Sequence, residues 1–459
     1  MSGSFENLDV VPTLVSFAIT ASEASKLVTS EFKKSGSNVY YIAPKYNSDN
    51  LPDVDSLKAV FDKIHSLANE GKLLSAYTIG HGGIAEAIVK MSMGNKIGFE
   101  FNNIELKSLF ENRRGGFIIE TEAKLDEQLL GKTSDNSDIS INGETFSIDE
   151  LICEWEKPLE NVFPTKPTGI DPSNVEAFNY GTRSAVVASE KFARPRVIIP
   201  VFPGTNCEYD TARAFNKAGA ECEIFVLRNL NADMLEQSTA ELAELIDKAQ
   251  IMMLPGGFSG GDEPDGSGKF ITAVLRSPRI KEAVTRLLEE RGGLMLGICN
   301  GFQALVKSGL LPYGKIMDVM QPDCPTLTFN GVKRHQSMMV TTRISSIKSP
   351  WLSGAELGQT HVIPISHGEG RFTASEELIR KLAENGQIAT QYVDLCGNPT
   401  MDARFNPNSS DFAIEGICSA DGRILGKMGH SERIGKDIAK NVPGDHDQKI
   451  FESGVKFFK

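Results

Sequence analysis

The sequence predicts an α/β protein in two parts, an α+β layer followed by a doubly wound sheet of parallel strands. Three observations carry this. From about residue 194, unbroken apolar runs such as "RPRVIIPVF" (194–202) and "CEIFVL" (222–227) alternate with amphipathic stretches, the pattern of parallel strands covered on both faces. Before residue 185, alternating and helical patterns mix without that regularity. The chain has 459 residues, 40% of them hydrophobic and 24% charged, enough apolar material for two cores.

In the first part, "TLVSFAIT" (13–20) alternates as a strand, and "SEASKLVTSEFKK" (22–34) is amphipathic at helical spacing. "NVYYIAP" (38–44) reads as a strand and "DVDSLKAVFDKIHSLANEGK" (53–72) as a helix. "LLSAYTIGHGGIAEAIVKMSMGN" (73–95) reads as strand, glycine turn and helix, and "GGFIIET" (115–121) as a further strand. This order suggests helices on one face of a sheet. Residues 131–170 are polar and end in the proline-rich "EWEKPLENVFPTKPTG", which reads as an extended linker. The domains expected are therefore 1–185, linker included, and 194–459.

In the second part, "CEYDTARAFNKAGAE" (207–221) and "STAELAELIDKAQ" (238–250) read as helices and "IMMLPGG" (251–257) as a strand. Chemistry in such sheets gathers at the carboxyl ends of the strands. That draws attention to three loops, "FPGTNC" (202–207), "PGGFSGGD" (255–262) and "GICNGFQ" (297–303).

The net charge of −12 argues against a general nucleic-acid binder, which would carry a basic excess. The seven cysteines, at 153, 207, 222, 299, 324, 396 and 418, form neither a C-x-x-C pair nor a regular framework. They point to a reducing, cytoplasmic setting and to no metal ligand set. No apolar run reaches the length of a membrane span, so no membrane partner is expected.

Cys299 stands between an apolar strand and a helix, flanked by Gly297 and Gly301. Glycines there permit the sharp turn of a nucleophile elbow, and the helix N-terminus favours thiolate. A small buried cysteine is the plain alternative. A thiolate nucleophile also needs an oxyanion site and a base. Gly256 and Gly257, ending a strand, can turn a backbone N–H inward, and the Asn300 N–H follows the nucleophile. Two H-x-E pairs offer a base with an orienting carboxylate, His367 with Glu369 and His430 with Glu432. Chemistry alone does not choose between them. "PDGSGK" (264–269) has Glu263 where a P-loop requires glycine, and "GHGGIAEAI" (80–88) reads as a structural glycine turn rather than a phosphate site.

Taken together, "GICNGFQ", "LPGGFSGGD" and "GHSER" (429–433) resemble a class I (triad) glutamine amidotransferase domain of flavodoxin-like fold. "VFPGTNCEYD", "LPGGFSGGDEPDGSGKF" and "ISHGEGRF" narrow the resemblance to the glutaminase domain of phosphoribosylformylglycinamidine synthases. The first part, through "NLDVVPTLVSFAIT" and "TIGHGGIAEAIVKMSMGN", is similar to the last synthetase module of the large single-chain form, whose fold is that of the C-terminal half of aminoimidazole ribonucleotide synthetase. "EWEKPLENVFPTKP" is similar to the linker between them.

The resemblance implies Cys299 as nucleophile, His430 as proton shuttle and Glu432 as its orienting partner. It implies Gly257 and Asn300 as oxyanion donors beside Gly256, and Gln303 as a hold on glutamine. His367 and Glu369 are left to shape the site. The family's usual His-Pro-Glu reads His430-Ser431-Glu432 here, so a fixed φ is lost while the spacing is kept. The glutaminase itself needs no cofactor. In the full enzyme ATP with Mg2+ activates formylglycinamide ribonucleotide, on synthetase modules expected to precede this chain. Two other readings remain: a cysteine-elbow protein of the peptidase or chaperone-like type without glutaminase activity, and an inactive docking fragment.

Overall fold

The computed structural model describes residues 3–5, 8–111, 113–259, 266–436 and 438–459. Residues 260–265, in the glycine-rich motif and at the start of the P-loop-like stretch, lie outside them. No helix of the described residues is long and apolar enough to cross a membrane.

The chain forms two compact units, Met1–Asn161 and Val162–Lys459. The division falls earlier than the 185/194 boundary expected from sequence. The proline-rich stretch read as linker straddles this division, and the residues that follow it pack within the second unit. Phe178 is buried in that unit's core, its N–H donates to Gln391 Oε1 at 2.9 Å, and Tyr180 bridges Ser346. The polar residues before that stretch fold as strands Gln128–Ser134, Asp138–Ile141 and Glu144–Ser147 and the helix Ile148–Glu156, and the stretch itself opens on the end of that helix and a 3-10 turn at Lys157–Leu159 rather than as extended chain.

The first unit holds a seven-stranded sheet in the order Ser75–Thr78, Phe117–Thr121, Asn38–Ile42, Gln128–Ser134, Gly98–Phe101, Asp138–Ile141, Glu144–Ser147. Its pairs are antiparallel except that of Gly98–Phe101 with Asp138–Ile141. Helices cover both faces, not one. Val39 and Tyr41 pack with Ile84, Ile88 and Met91 of the helix Gly83–Met93. Tyr40 and Ile42 face the other way, toward Val60 and Leu67 of the helix Val54–Asn69. The two-residue period of the strand sorts its neighbours to opposite faces. Residues 13–20 form no strand, because no strand among the described residues pairs with them, and Leu14, Phe17 and Ile19 are exposed. Of the helix expected over 22–34, only a short 3-10 turn at Ala24–Lys26 is present.

The second unit begins with β1 (Arg196–Val201), α1 (Glu208–Ala218), β2 (Glu221–Val226), α2 (Ala232–Lys248) and β3 (Ile251–Leu254). Helices α3 (Lys269–Arg276) and α4 (Pro278–Thr285) precede β4 (Leu294–Ile298) and α5 (Asn300–Ser308). Strands β5 (Gln336–Ile344), β6 (Thr360–His367), β7 (Ile388–Tyr392), β8 (Ile414–Cys418) and β9 (Ile424–Lys427) follow.

These nine strands join in one sheet ordered β2-β1-β3-β4-β9-β8-β7-β5-β6, beside a separate two-stranded sheet of Thr326–Thr328 and Arg371–Thr373. The first five are parallel, as the apolar runs predict. The last four pairings are antiparallel, an extension the expected all-parallel sheet did not include. Residues 251–254 and 294–298 are buried throughout, as central strands covered on both faces must be.

Candidate functional site

The site grows from the carboxyl ends of β3, β4 and β9. Chain direction reverses sharply after Ile298, and Cys299 sits there with φ 52° and ψ −107°. A non-glycine residue at such a φ costs on the order of 1–3 kcal/mol and persists only where its surroundings hold it. The hold is visible. The Cys299 N–H donates to Lys427 O at 2.9 Å, and the start of α5 presses onto β3 so closely that a Cβ on Gly301 would lie 2.0 Å from Leu254 O. The thiol is nearly buried, with Sγ 3.7 Å from Ser366 O.

Strand β9 pairs in parallel with β4, Ile298 opposite Lys427, and the turn after β9 carries His430 and Glu432. His430 Nδ1 lies 2.5 Å from Glu432 Oε1, with both side chains buried. Burial disfavours charge on this imidazole, but Glu432 first and the Cys299 sulfur second outweigh it, holding His430 well above the ordinary histidine range. Burial likewise pushes the Glu432 carboxyl up, and the adjacent imidazolium more than reverses that, so it is held low. His430 Nε2 has no partner among the described residues.

Gly256 marks where these groups converge. A Cβ there would stand 2.8 Å from His430 Cε1, 3.1 Å from Cys207 Sγ and 3.5 Å from Cys299 Cβ. Gly257 follows at φ 149°, its Cβ position blocked at 2.5 Å by Gly204 O. The Gly257 N–H makes no hydrogen bond among the described residues, whereas the flanking Asn206 and Phe258 N–H groups donate to Gly256 O and Gly204 O. A chain of amides runs on from there. Ser259 N–H donates to Asn300 Oδ1 at 3.2 Å, Asn300 Nδ2 to Gln303 Oε1 at 3.0 Å, and Gln303 Nε2 to Glu369 O. Both ends of the Gln303 amide are thus engaged inside the protein, tying α5 to the turn after β6.

The other H-x-E pair is arranged differently. His367 is buried with neither ring nitrogen bonded, and burial pulls it down to about 3. Glu369 Oε2 accepts from Ser267 N–H at 2.9 Å and stands 3.8 Å from Lys307 Nζ. His367 and Glu369 are therefore near the site without forming a bonded pair, and His367 is neutral at physiological pH.

Two residues beyond those singled out in the sequence enter the site. Cys207 is buried with Sγ 3.8 Å from His430 Nδ1, and Arg433 Nη2 donates to it at 3.1 Å. The strand-end loop "FPGTNC" was a signal for the first. The second follows directly on the "GHSE" motif. Ligand atoms of Cys207, His430 and Glu432 lie within 4.8 Å of one another, as a bound cation would need. The 2.5 Å contact and the Arg433 cation beside the sulfur suit a shared proton better than a metal. In the first unit, the Gly80–Gly83 turn does not fit a phosphate. Glu86 Oε2 accepts the Gly82 N–H at 2.7 Å and fills the space over Gly80.

Comparison with known proteins bears on the second unit. The family model for a CobB/CobQ-like glutamine amidotransferase domain matches residues 194–458. A phosphoribosylformylglycinamidine synthase subunit PurQ from Methanococcus maripaludis is 34% identical over 282 residues, 58% of this chain and 95% of that protein. The PurQ subunit from Aquifex aeolicus is 34% identical over 247 residues, 54% of this chain and 92% of its own. Among solved structures, a chain from the structure of PurLQS from Thermotoga maritima is 26% identical, covers 58% of this chain and all of that one, and aligns with a TM-score of 0.42.

Proposed function

The chain belongs to the CobB/CobQ-like glutamine amidotransferase domain family and, over the same residues, to the phosphoribosylformylglycinamidine synthase PurQ family, and on that footing we propose that it hydrolyses glutamine at Cys299 to supply ammonia for the amidation of formylglycinamide ribonucleotide. The observation that carries this is the convergence at Gly256 of a strained cysteine elbow and a buried His430–Glu432 pair.

In this reading the Cys299 thiolate attacks the side-chain amide carbon of glutamine. The oxyanion of the tetrahedral intermediate is met by the Gly257 and Asn300 N–H groups. The carbon–nitrogen bond breaks as the His430 imidazolium delivers a proton to the departing ammonia, leaving a γ-glutamyl thioester. His430, now neutral, takes a proton from water, which attacks the thioester, releases glutamate and returns the thiolate. Glu432 orients the ring and stabilises its charged form. Glutamine and water thus give glutamate and ammonia. Gln303, His367 and Glu369 shape the pocket around the substrate.

ATP and Mg2+ belong to the amidation step, which we assign to a synthetase partner. For residues 1–161 we retain the reading as a module similar to the C-terminal half of aminoimidazole ribonucleotide synthetase, supported by the resemblance around "TIGHGGIAEAIVKMSMGN". The peptidase or chaperone-like alternative is not favoured, since the matching relatives are glutamine amidotransferases. The test is glutamate release from glutamine by the full chain with C299A as control. Equal release by the two would overturn the assignment of Cys299. Release by the parent, raised on adding ATP, formylglycinamide ribonucleotide and a PurL-type synthetase, is the expected result.

A further inference from the structure

Lys427, the last residue of β9, is 2% exposed and points inward behind the His430 turn. Burying an ammonium is costly unless each of its three N–H donors finds an acceptor and its charge is balanced. All of these conditions are met. Nζ reaches Gly429 O at 3.0 Å, Ser431 Oγ at 3.0 Å and Glu415 Oε1 at 3.2 Å. Glu415, itself buried, also accepts the Gly429 N–H at 2.6 Å and the Thr390 hydroxyl. Ser431 Oγ passes the chain on to Gln448 Oε1 at 2.6 Å, and Gln448 Nε2 to Thr342 Oγ1 at 3.1 Å. The main chain of the same lysine accepts the Cys299 N–H at 2.9 Å.

We propose that Lys427 is a positioning residue that locks nucleophile and base in one register, its carbonyl holding the Cys299 elbow while its ammonium, neutralised by Glu415, holds the Gly429–Ser431 turn from which His430 and Glu432 project. The inference rests on the glutaminase reading of the site. It accounts for Ser431, which stands where the resembling family has proline. The hydroxyl supplies through two hydrogen bonds the restraint that a fixed φ would otherwise give. It also accounts for a buried charge in a strand otherwise apolar, since a methionine or leucine would fill the space without gripping the turn. Burial is the largest influence and holds the Lys427 ammonium below the ordinary lysine range, while Glu415 opposes it without fully reversing it.

The test uses the full chain and two variants. K427M/E415Q removes both charges together and keeps an acceptor for the Gly429 N–H. S431A leaves the ion pair intact and removes only the hydroxyl. Both are expected to unfold near the parent temperature, to lose at least tenfold in kcat for glutamate release, and to hold KM for glutamine within threefold. Alkylation of Cys299 by iodoacetamide, which needs no glutamine, is expected to slow at least threefold in both. A folded S431A with kcat and alkylation rate within twofold of the parent would overturn the proposal. So would a loss of kcat that merely tracks the folded fraction, or a rise in KM at constant kcat. Should the double variant not fold, S431A decides alone. A parent that releases no glutamate would sink the glutaminase reading, and the alkylation rates would still decide on Lys427.

Discussion

Substituting Gly256 with alanine replaces a hydrogen with a methyl group at the point where the thiol, the imidazole and Cys207 meet. The new carbon would stand 2.8 Å from His430 Cε1 and 3.1 Å from Cys207 Sγ. Carbon atoms rest at roughly 3.5–4.0 Å, so the ring must retreat by about 0.7 Å or more. It has little freedom to do so, being buried and bonded to Glu432 at 2.5 Å, on a residue whose backbone N–H donates to Pro364 O at 2.8 Å. A displacement approaching 1 Å costs about 100-fold in rate, or about 2.7 kcal/mol of transition-state stabilisation. Overpacking costs a further ~1–3 kcal/mol of folding stability. The assay is steady-state glutamate release by G256A beside its urea unfolding curve. The expected variant is folded, with kcat down about 100-fold. A folded G256A with kcat within threefold of the parent would refute the claim that imidazole and thiol face each other across this glycine.

Further predictions address the choice of base, the linked pH dependence and the elbow. H430Q should lower glutamate release by at least 1000-fold, and H367Q by less than tenfold, because the His367 ring is neutral and makes no hydrogen bond among the described residues; the reverse order would transfer the proton-shuttle role to His367. The Glu432 carboxyl is held below its usual value of 4.5 and His430 above 6.5. Stability from Glu432 is therefore present above about 4.5 and lost as pH falls through its folded value. Stability from His430 is full below about 6.5 and lost as pH rises through its folded value. Urea melts of parent and E432Q should accordingly differ most between these limits and less on both sides; a gap constant from pH 4 to 9 would refute the coupling. G301A places a carbon 2.0 Å from a backbone oxygen, so the elbow should open and the chain lose ~3 kcal/mol or more in the same melts.

The parallel half of the sheet was legible because its strands are unbroken apolar runs with helices of amphipathic period between them. Gly297 and Gly301 around Cys299 permitted an elbow without excluding a small buried cysteine, and the distant "PGGFSGG" and "GHSER" stretches, which supply an oxyanion site and a base, made it legible. What the sequence hid were features set by pairing across long separations. "TLVSFAIT" alternates as a strand should, yet among the described residues no strand pairs with residues 13–20, and they are exposed. The proline-rich stretch "EWEKPLENVFPTKPTG" reads as linker, and no regular period follows it to announce that Phe178, just beyond, enters the second core. Lys427 in "ILGKMG" reads as a solvent-facing residue, and only Glu415, twelve residues earlier on the neighbouring strand, makes its burial tolerable. Cys207 lay on a loop already marked as a strand end, but no pattern tied it to a histidine more than two hundred residues away.

The distance between nucleophile and base has a simple physical origin. Cys299 and His430 are separated by a long stretch of sequence that contains the whole antiparallel extension, β5 to β8. Yet β4 and β9 are adjacent parallel strands, with Ile298 opposite Lys427, so the two side chains start from positions fixed by the interstrand spacing of about 4.8 Å. Each then needs only a short turn to reach the space above β3, where Gly256 leaves room. The insertion between them can therefore vary in length without moving the reacting atoms, provided β9 keeps its register on β4. A slip of one residue would turn Lys427 out of its pocket and His430 away from the thiol together. The buried lysine is thus placed where a register error would be most costly, since it would have to leave Glu415 unpaired in the core.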